Sequence, residues 1–147
     1  MIGFIKRAVL SLVALLFVSL TASAGDSIWS MHKKSSFDWN PVMDAIIKVE
    51  SEGNPNAVSG NSVGVMQITP ILVRECNNVL KKMKSNKRYT LDDRYSVEKS
   101  KEMFLLIQKY FNPENNVEKA IRSWNGGIKY SVKATNKYYK KVLARMK

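Results

Sequence analysis

An all-α domain is the fold class this sequence predicts, and three observations predict it. Apolar residues recur at steps of three and four along most of the chain after residue 40. Asn40-Pro41 and Thr69-Pro70 place a capping residue and a first-turn proline where helices would start. No stretch sustains the apolar–polar alternation of a half-buried strand. At 147 residues there is room for one domain and little else.

The N-terminus reads as a targeting segment. Lys6 and Arg7 precede an apolar run from Ala8 to Leu20, and Thr21-Ala22-Ser23-Ala24-Gly25 supplies small residues in an Ala-x-Ala pattern. Basic, then apolar, then small is the order of a secretory signal peptide, with cleavage expected after Ala24. An uncleaved anchor is the alternative, but a membrane span wants about 20 apolar residues and this run is shorter. The expected organisation is a signal peptide over 1–24, a linker over 25–39 and a helical domain over 40–147. Export follows, to the periplasm or the exterior. Cys76 is the single cysteine, so no internal disulfide is possible; its spacing to Leu72 and Leu80 makes it a small buried filler.

The chain carries 24 Lys and Arg against 12 Asp and Glu. That balance suits a polyanionic partner. Export argues against nucleic acid and leaves a cell wall bearing carboxylates. A solvated basic surface without a specific partner is the plain alternative.

Along the chain, Val42, Met43, Ile46 and Val49 mark a helix over about 41–52, closed by Gly53. Residues 53–64 are rich in Gly, Asn, Ser and Pro and read as a loop. After Thr69-Pro70, Leu72, Cys76, Val79, Leu80 and Met83 give a helix to about Lys84. A basic connector over 85–94 leads to a helix over 96–111, broken by Asn112-Pro113. Asn115-x-x-Glu118 has the form of a capping box. The short helix behind it buries Val117, Ala120, Ile121 and Trp124 and stops at Asn125-Gly126-Gly127. A last helix over about 132–146 puts Tyr138, Val142 and Met146 on one side.

Glu50 calls for explanation. It falls on the apolar stripe with Met43, Ile46 and Ile47, in the last turn, where the helix dipole disfavours an anion. Burial and dipole both favour the protonated form, the state a general acid needs near neutral pH. The alternative is an ordinary helix-end Glu that bends out to water.

From Glu50 the chain continues ESEGNPNAVSGNSVGVMQITP. This resembles the signature of the lytic transglycosylases, which share the goose-lysozyme-like fold. The matching residues are Glu50, Ser51, Asn54, Pro55, Ala57, Ser59, Gly64, Met66, Gln67, Ile68 and Pro70, with the segment between Ser59 and Gly64 one residue shorter than in many relatives. A second element, aromatic-Asn-small-Gly, appears as Trp124-Asn125-Gly126-Gly127. Trp124 stands where many relatives have Tyr, whose hydroxyl lies near the acid; Tyr130 or Tyr110 is then a candidate source of that phenol.

The resemblance implies a small lysozyme-like helical domain with a catalytic loop after its first main helix. It also implies peptidoglycan glycan strands as substrate. Glu50 would be the one catalytic acid, protonating the β-1,4 oxygen between N-acetylmuramic acid and N-acetylglucosamine. It would then take the proton of the muramic C6 hydroxyl, closing a 1,6-anhydro ring without water. Ser59, Gly64, Met66, Gln67, Trp124, Asn125 and Tyr130 would contact substrate. Met66 would be a wall of the cleft, with core filler as the alternative, and Ser59 and Asn125 are alternatively loop hydrogen-bonders. Glu52, Asp92 and Asp93 suggest no second catalytic group. No cofactor or metal is implied, since His32 is alone and no calcium-type loop appears. A monomer is expected, with a secretion or conjugation apparatus as a conceivable partner. The competing readings are a muramidase of the same fold and a non-catalytic basic wall-binding protein.

Overall fold

The computed structural model describes residues 37–146. The expected signal peptide, its cleavage point and His32 lie outside them. Five α-helices carry the described chain: α1 (Asn40–Ser51), α2 (Pro70–Lys82), α3 (Val97–Phe111), α4 (Val117–Gly126) and α5 (Val132–Leu143). The all-α expectation holds, with two additions inside segments read as irregular. Residues Val58–Ser59 (β1) and Ser62–Val63 (β2) pair as a minimal antiparallel hairpin, and Asp92–Tyr95 form a turn of 3-10 helix. Strands of two residues are too short to show a period, which is why the pattern reads only as loop.

Helix boundaries follow local chemistry more finely than composition does. Asn40 does not cap α1 through its side chain. Trp39 holds the cap position, and the Asp38 carboxylate accepts from both the backbone N–H and the side-chain amide of Asn40, each at 2.9 Å. At the other end Glu52 already turns left-handed (φ 53°), one residue before the expected Gly53. For α4 the capping residue is Asn116, whose side chain accepts from Lys119 N–H, and not Asn115. Glu118 does not reach back as a capping box requires; it binds the Arg122 guanidinium at 2.7 Å. Thr69, Ser96 and Ser131 cap α2, α3 and α5 through their hydroxyls, which satisfies one orphan N–H at each start.

α1 lies against α4 and α5, α2 against α3, and α4 against α5. Their inward faces meet in a core that includes Ile46, Met103, Phe104, Ile121 and Val142, all without solvent exposure. Trp39, assigned to the linker from sequence, belongs to this core and stacks edge-on against Phe104 with ring centroids 5.6 Å apart. Cys76 is fully buried as expected, and burial pushes its thiol up to about 12. That group is an inert filler rather than a nucleophile.

Candidate active site

The end of α1, the loop that follows it and the start of α4 converge through four anchors. Ser51 Oγ donates to the Val65 carbonyl at 2.8 Å, tying the last turn of α1 to the far side of the loop. Gly64 N–H donates to Ala57 O at 2.8 Å, and Val63 and Ile68 exchange backbone hydrogen bonds, so the loop folds back on itself. Buried Arg94 clamps it from outside: Nε donates to Leu91 O at 2.7 Å, and Nη1 to Asn61 O at 3.2 Å and Ile68 O at 3.4 Å. The indole N–H of Trp124 donates to Met66 O at 3.2 Å, and its ring packs on Phe104. The loop is thereby fixed to the core at both ends and in the middle.

These contacts frame a cleft of about 540 Å³. Glu50, Ser59, Gln67, Trp124 and Asn125 line it, so five of the eight site residues expected from sequence come together in one place. Three do not line it. Met66 is completely buried in the core beneath the loop, and only its carbonyl takes part, as the acceptor for Trp124. It is not a cleft wall. Gly64 is buried with φ 79° and its carbonyl accepts from Gln67 N–H and Nε2 at 3.1 and 3.0 Å; it shapes the loop. Tyr130 packs beside Gly126 in the turn between α4 and α5.

Gln67 sits in the left-handed region (φ 51°), a conformation costing ~1–2 kcal/mol for a residue with a side chain. Its Nε2 donates to Ala57 O and Gly64 O. That use commits the donor half of the amide to the loop. The acceptor half is the one left for a ligand.

Glu50 is partly buried at the base of the cleft. Its Oε1 accepts a 2.7 Å hydrogen bond from the Tyr138 hydroxyl on α5. Neither Tyr110 nor Tyr130 supplies that phenol. Trp124 does not replace it either, because its indole N–H is spent on the loop. Burial raises the Glu50 carboxyl above its ordinary range, and the Tyr138 bond opposes this by stabilising the anion. Burial is the larger effect, in line with the sequence expectation for a carboxyl on an apolar stripe. The Tyr138 hydroxyl is itself driven far up by burial and by the neighbouring carboxylate, so it stays a donor.

Sequence reasoning passed over two participants. Tyr138 was visible only as a member of an inward stripe, although a hydroxyl on such a stripe needs a partner. Glu75, on α2, also lines the cleft, with Ile71 and Leu72 on the same wall and Ile128 at the rim. Among the described residues, no group of three or more His, Cys, Asp or Glu is placed to hold a metal ion.

One raised carboxyl held by a phenol, in a cleft whose loop carries the Glu-Ser and Gly-x-Met-Gln-Ile elements, agrees with the comparison to known families. A family model, the transglycosylase SLT domain, matches residues 27–145. The chain belongs to the transglycosylase SLT domain family. Membership brings a peptidoglycan-related function of the lytic transglycosylase type to the SLT domain described here. The match begins upstream of α1, within the stretch read as linker. No curated protein and no solved structure matches the chain.

The Tyr138 contact makes a prediction of defined sign. Tyr138→Phe removes the bond that stabilises ionised Glu50, so the carboxyl should titrate still higher. The alkaline limb of the pH–rate profile should therefore move to higher pH, while the maximal rate drops roughly tenfold through lost positioning. A limb that stays in place would show that Tyr138 does not bond the ionised acid.

Proposed function

We propose that this SLT domain cleaves the β-1,4 bond between N-acetylmuramic acid and N-acetylglucosamine without water, releasing 1,6-anhydromuramic ends, and that Glu50 is its one proton carrier. The observation that supports this most directly is the Glu50 carboxyl in the cleft, raised by burial and held by Tyr138. As acid it delivers a proton to the glycosidic oxygen; as carboxylate it then removes the proton of the muramic C6 hydroxyl, which attacks C1. The substrate's own acetamido group steadies the positive C1 in between, so no second carboxylate is required. The acceptor oxygen of Gln67, the Ser59 hydroxyl and Asn125 surround the sugar. Ile71 and Ile128 offer apolar contact at the rim. The protein acts on glycan strands after export by its N-terminal signal.

A muramidase reading has one specific observation in its favour, the carboxylate of Glu75 in the same cleft. A hydrolase uses a second carboxylate to activate water or trap C1. Mass spectrometry of a digest of purified wall separates the two. Anhydro products, lighter by one water than the hydrolysed sugar, and a Glu75→Gln variant that keeps most of the turnover are the expected results. Reducing-end muramic acid together with an inactive Glu75→Gln variant would establish the hydrolase. No released fragments would leave a wall-binding protein.

A further inference from the structure

After Glu118 the chain contains no Asp or Glu, while Lys and Arg continue to its end. Helix α5 organises part of this charge. At 100° per residue, Lys133, Lys137, Lys140 and Lys141 fall within about 100° of one another around the helix. All four are exposed, and among the described residues none has an ion-pair partner. The opposite side of the helix is the one used by the fold: Thr135 and Val142 are buried there, and Tyr138 reaches Glu50. Beside the lysines, Val132 and Leu143 lie three turns apart and thus on one line of the helix. They are 59% and 41% exposed.

We propose that the outer face of α5 is a docking surface for an anionic lipid bilayer, on which the enzyme rests peripherally. A basic stripe alone would serve any polyanion. The exposed Val132 and Leu143 beside it add what an anionic bilayer uses together with charge, apolar side chains that reach the acyl boundary. The cations are lysines, point charges suited to loosely ordered headgroups rather than the planar forks that read phosphate bidentately. No described helix is long and apolar enough to cross a membrane, so the contact is one of surface adsorption. Docking by this face leaves the cleft open, because Tyr138 and Glu50 lie on the other side of α5.

The test is sedimentation of the full chain with vesicles of phosphatidylglycerol and phosphatidylcholine, compared with pure phosphatidylcholine. The difference between the two isolates charge from any contribution of the N-terminal apolar segment. Each surface lysine adds on the order of fivefold to adsorption at low salt. The variant with Lys133, Lys137, Lys140 and Lys141 all changed to Gln should therefore lose well over tenfold of the anionic preference. Its circular dichroism and its turnover of a short soluble glycan should match the parent. A control with Lys48, Lys81, Lys82 and Lys109 changed to Gln carries the same net charge and should keep most of the binding. Three results would overturn the proposal: no preference for anionic vesicles in the parent, equal loss in the control, or retention on lipid-free wall as the only binding lost in the α5 variant.

Discussion

Glu50→Gln should lower turnover of purified wall by ~10²–10⁴-fold, the usual worth of general acid–base help, without weakening the fold at neutral pH. The two halves of this expectation come from one physical cause. Burial raises the Glu50 carboxyl above its ordinary range, so the fold prefers the neutral form. For a group with a raised folded pKa, its stabilising contribution is complete below the ordinary carboxyl pKa of ~4.3 and is lost as pH climbs through the raised value. Glutamine is neutral throughout and still offers Tyr138 an acceptor oxygen. The variant should therefore melt no lower than the parent at neutral pH and should lack the parent's decline across that window. Parallel activity assays and thermal melts at several pH values check this. A variant that retains activity would remove Glu50 from the chemistry, and one that melts well below the parent would mean that its ionised form is stabilising.

Gly64→Ala should be the most damaging single-atom change in the loop. The Gly64 backbone lies at φ 79°, and a Cβ there would overlap the carbonyl oxygen of Arg94 and stand 2.9 Å from its carbon. Both atoms are backbone, and Ser100 Oγ donates to the same carbonyl at 3.2 Å, so neither side yields easily. Left-handed strain of ~1–3 kcal/mol adds to an overpacking cost of about the same size. The melting temperature should fall by at least ~10 °C, and activity should suffer because Gln67 hangs on the Gly64 carbonyl. Gly53→Ala and Gly60→Ala provide the comparison: both positions have positive φ but nothing within 4 Å of a new Cβ. They should pay the conformational cost alone. Similar losses at all three glycines would show that the close approach to Arg94 does not matter.

What could be read in advance depended on how local the determining physics was. The helices were legible because each carries its own stripe and all but α1 a side-chain cap, and errors of one residue arose where two candidate caps stood side by side, as at Asn115 and Asn116. Glu50 was legible because its stripe neighbours lie within the same helix. Met66 takes its core reading rather than its cleft reading for the opposite reason: motif position brings it near the site, but the fold-back of the loop, a tertiary event, turns its side chain into the core. Tyr138 is 88 positions from Glu50, and only the packing of α5 on α1 joins them. Glu75 has the same character, since its helix reads equally well with that side turned to solvent. That Tyr138 rather than Trp124 meets the acid is invisible in sequence because both side chains are amphipathic and either could have done so.

The Arg94 clamp has a consequence for how the enzyme responds to its surroundings. A buried guanidinium usually meets a carboxylate, which would release it on acidification. Here Nε and Nη1 spend their protons on the carbonyls of Leu91, Asn61 and Ile68, and carbonyls bind no proton across the range in which proteins work. Protonating a carboxylate therefore cannot release Arg94 from these carbonyls, while the Glu50 carboxyl framed by the loop does titrate. The acidity dependence of turnover is accordingly expected to follow the Glu50 carboxyl rather than the release of the Arg94 clamp.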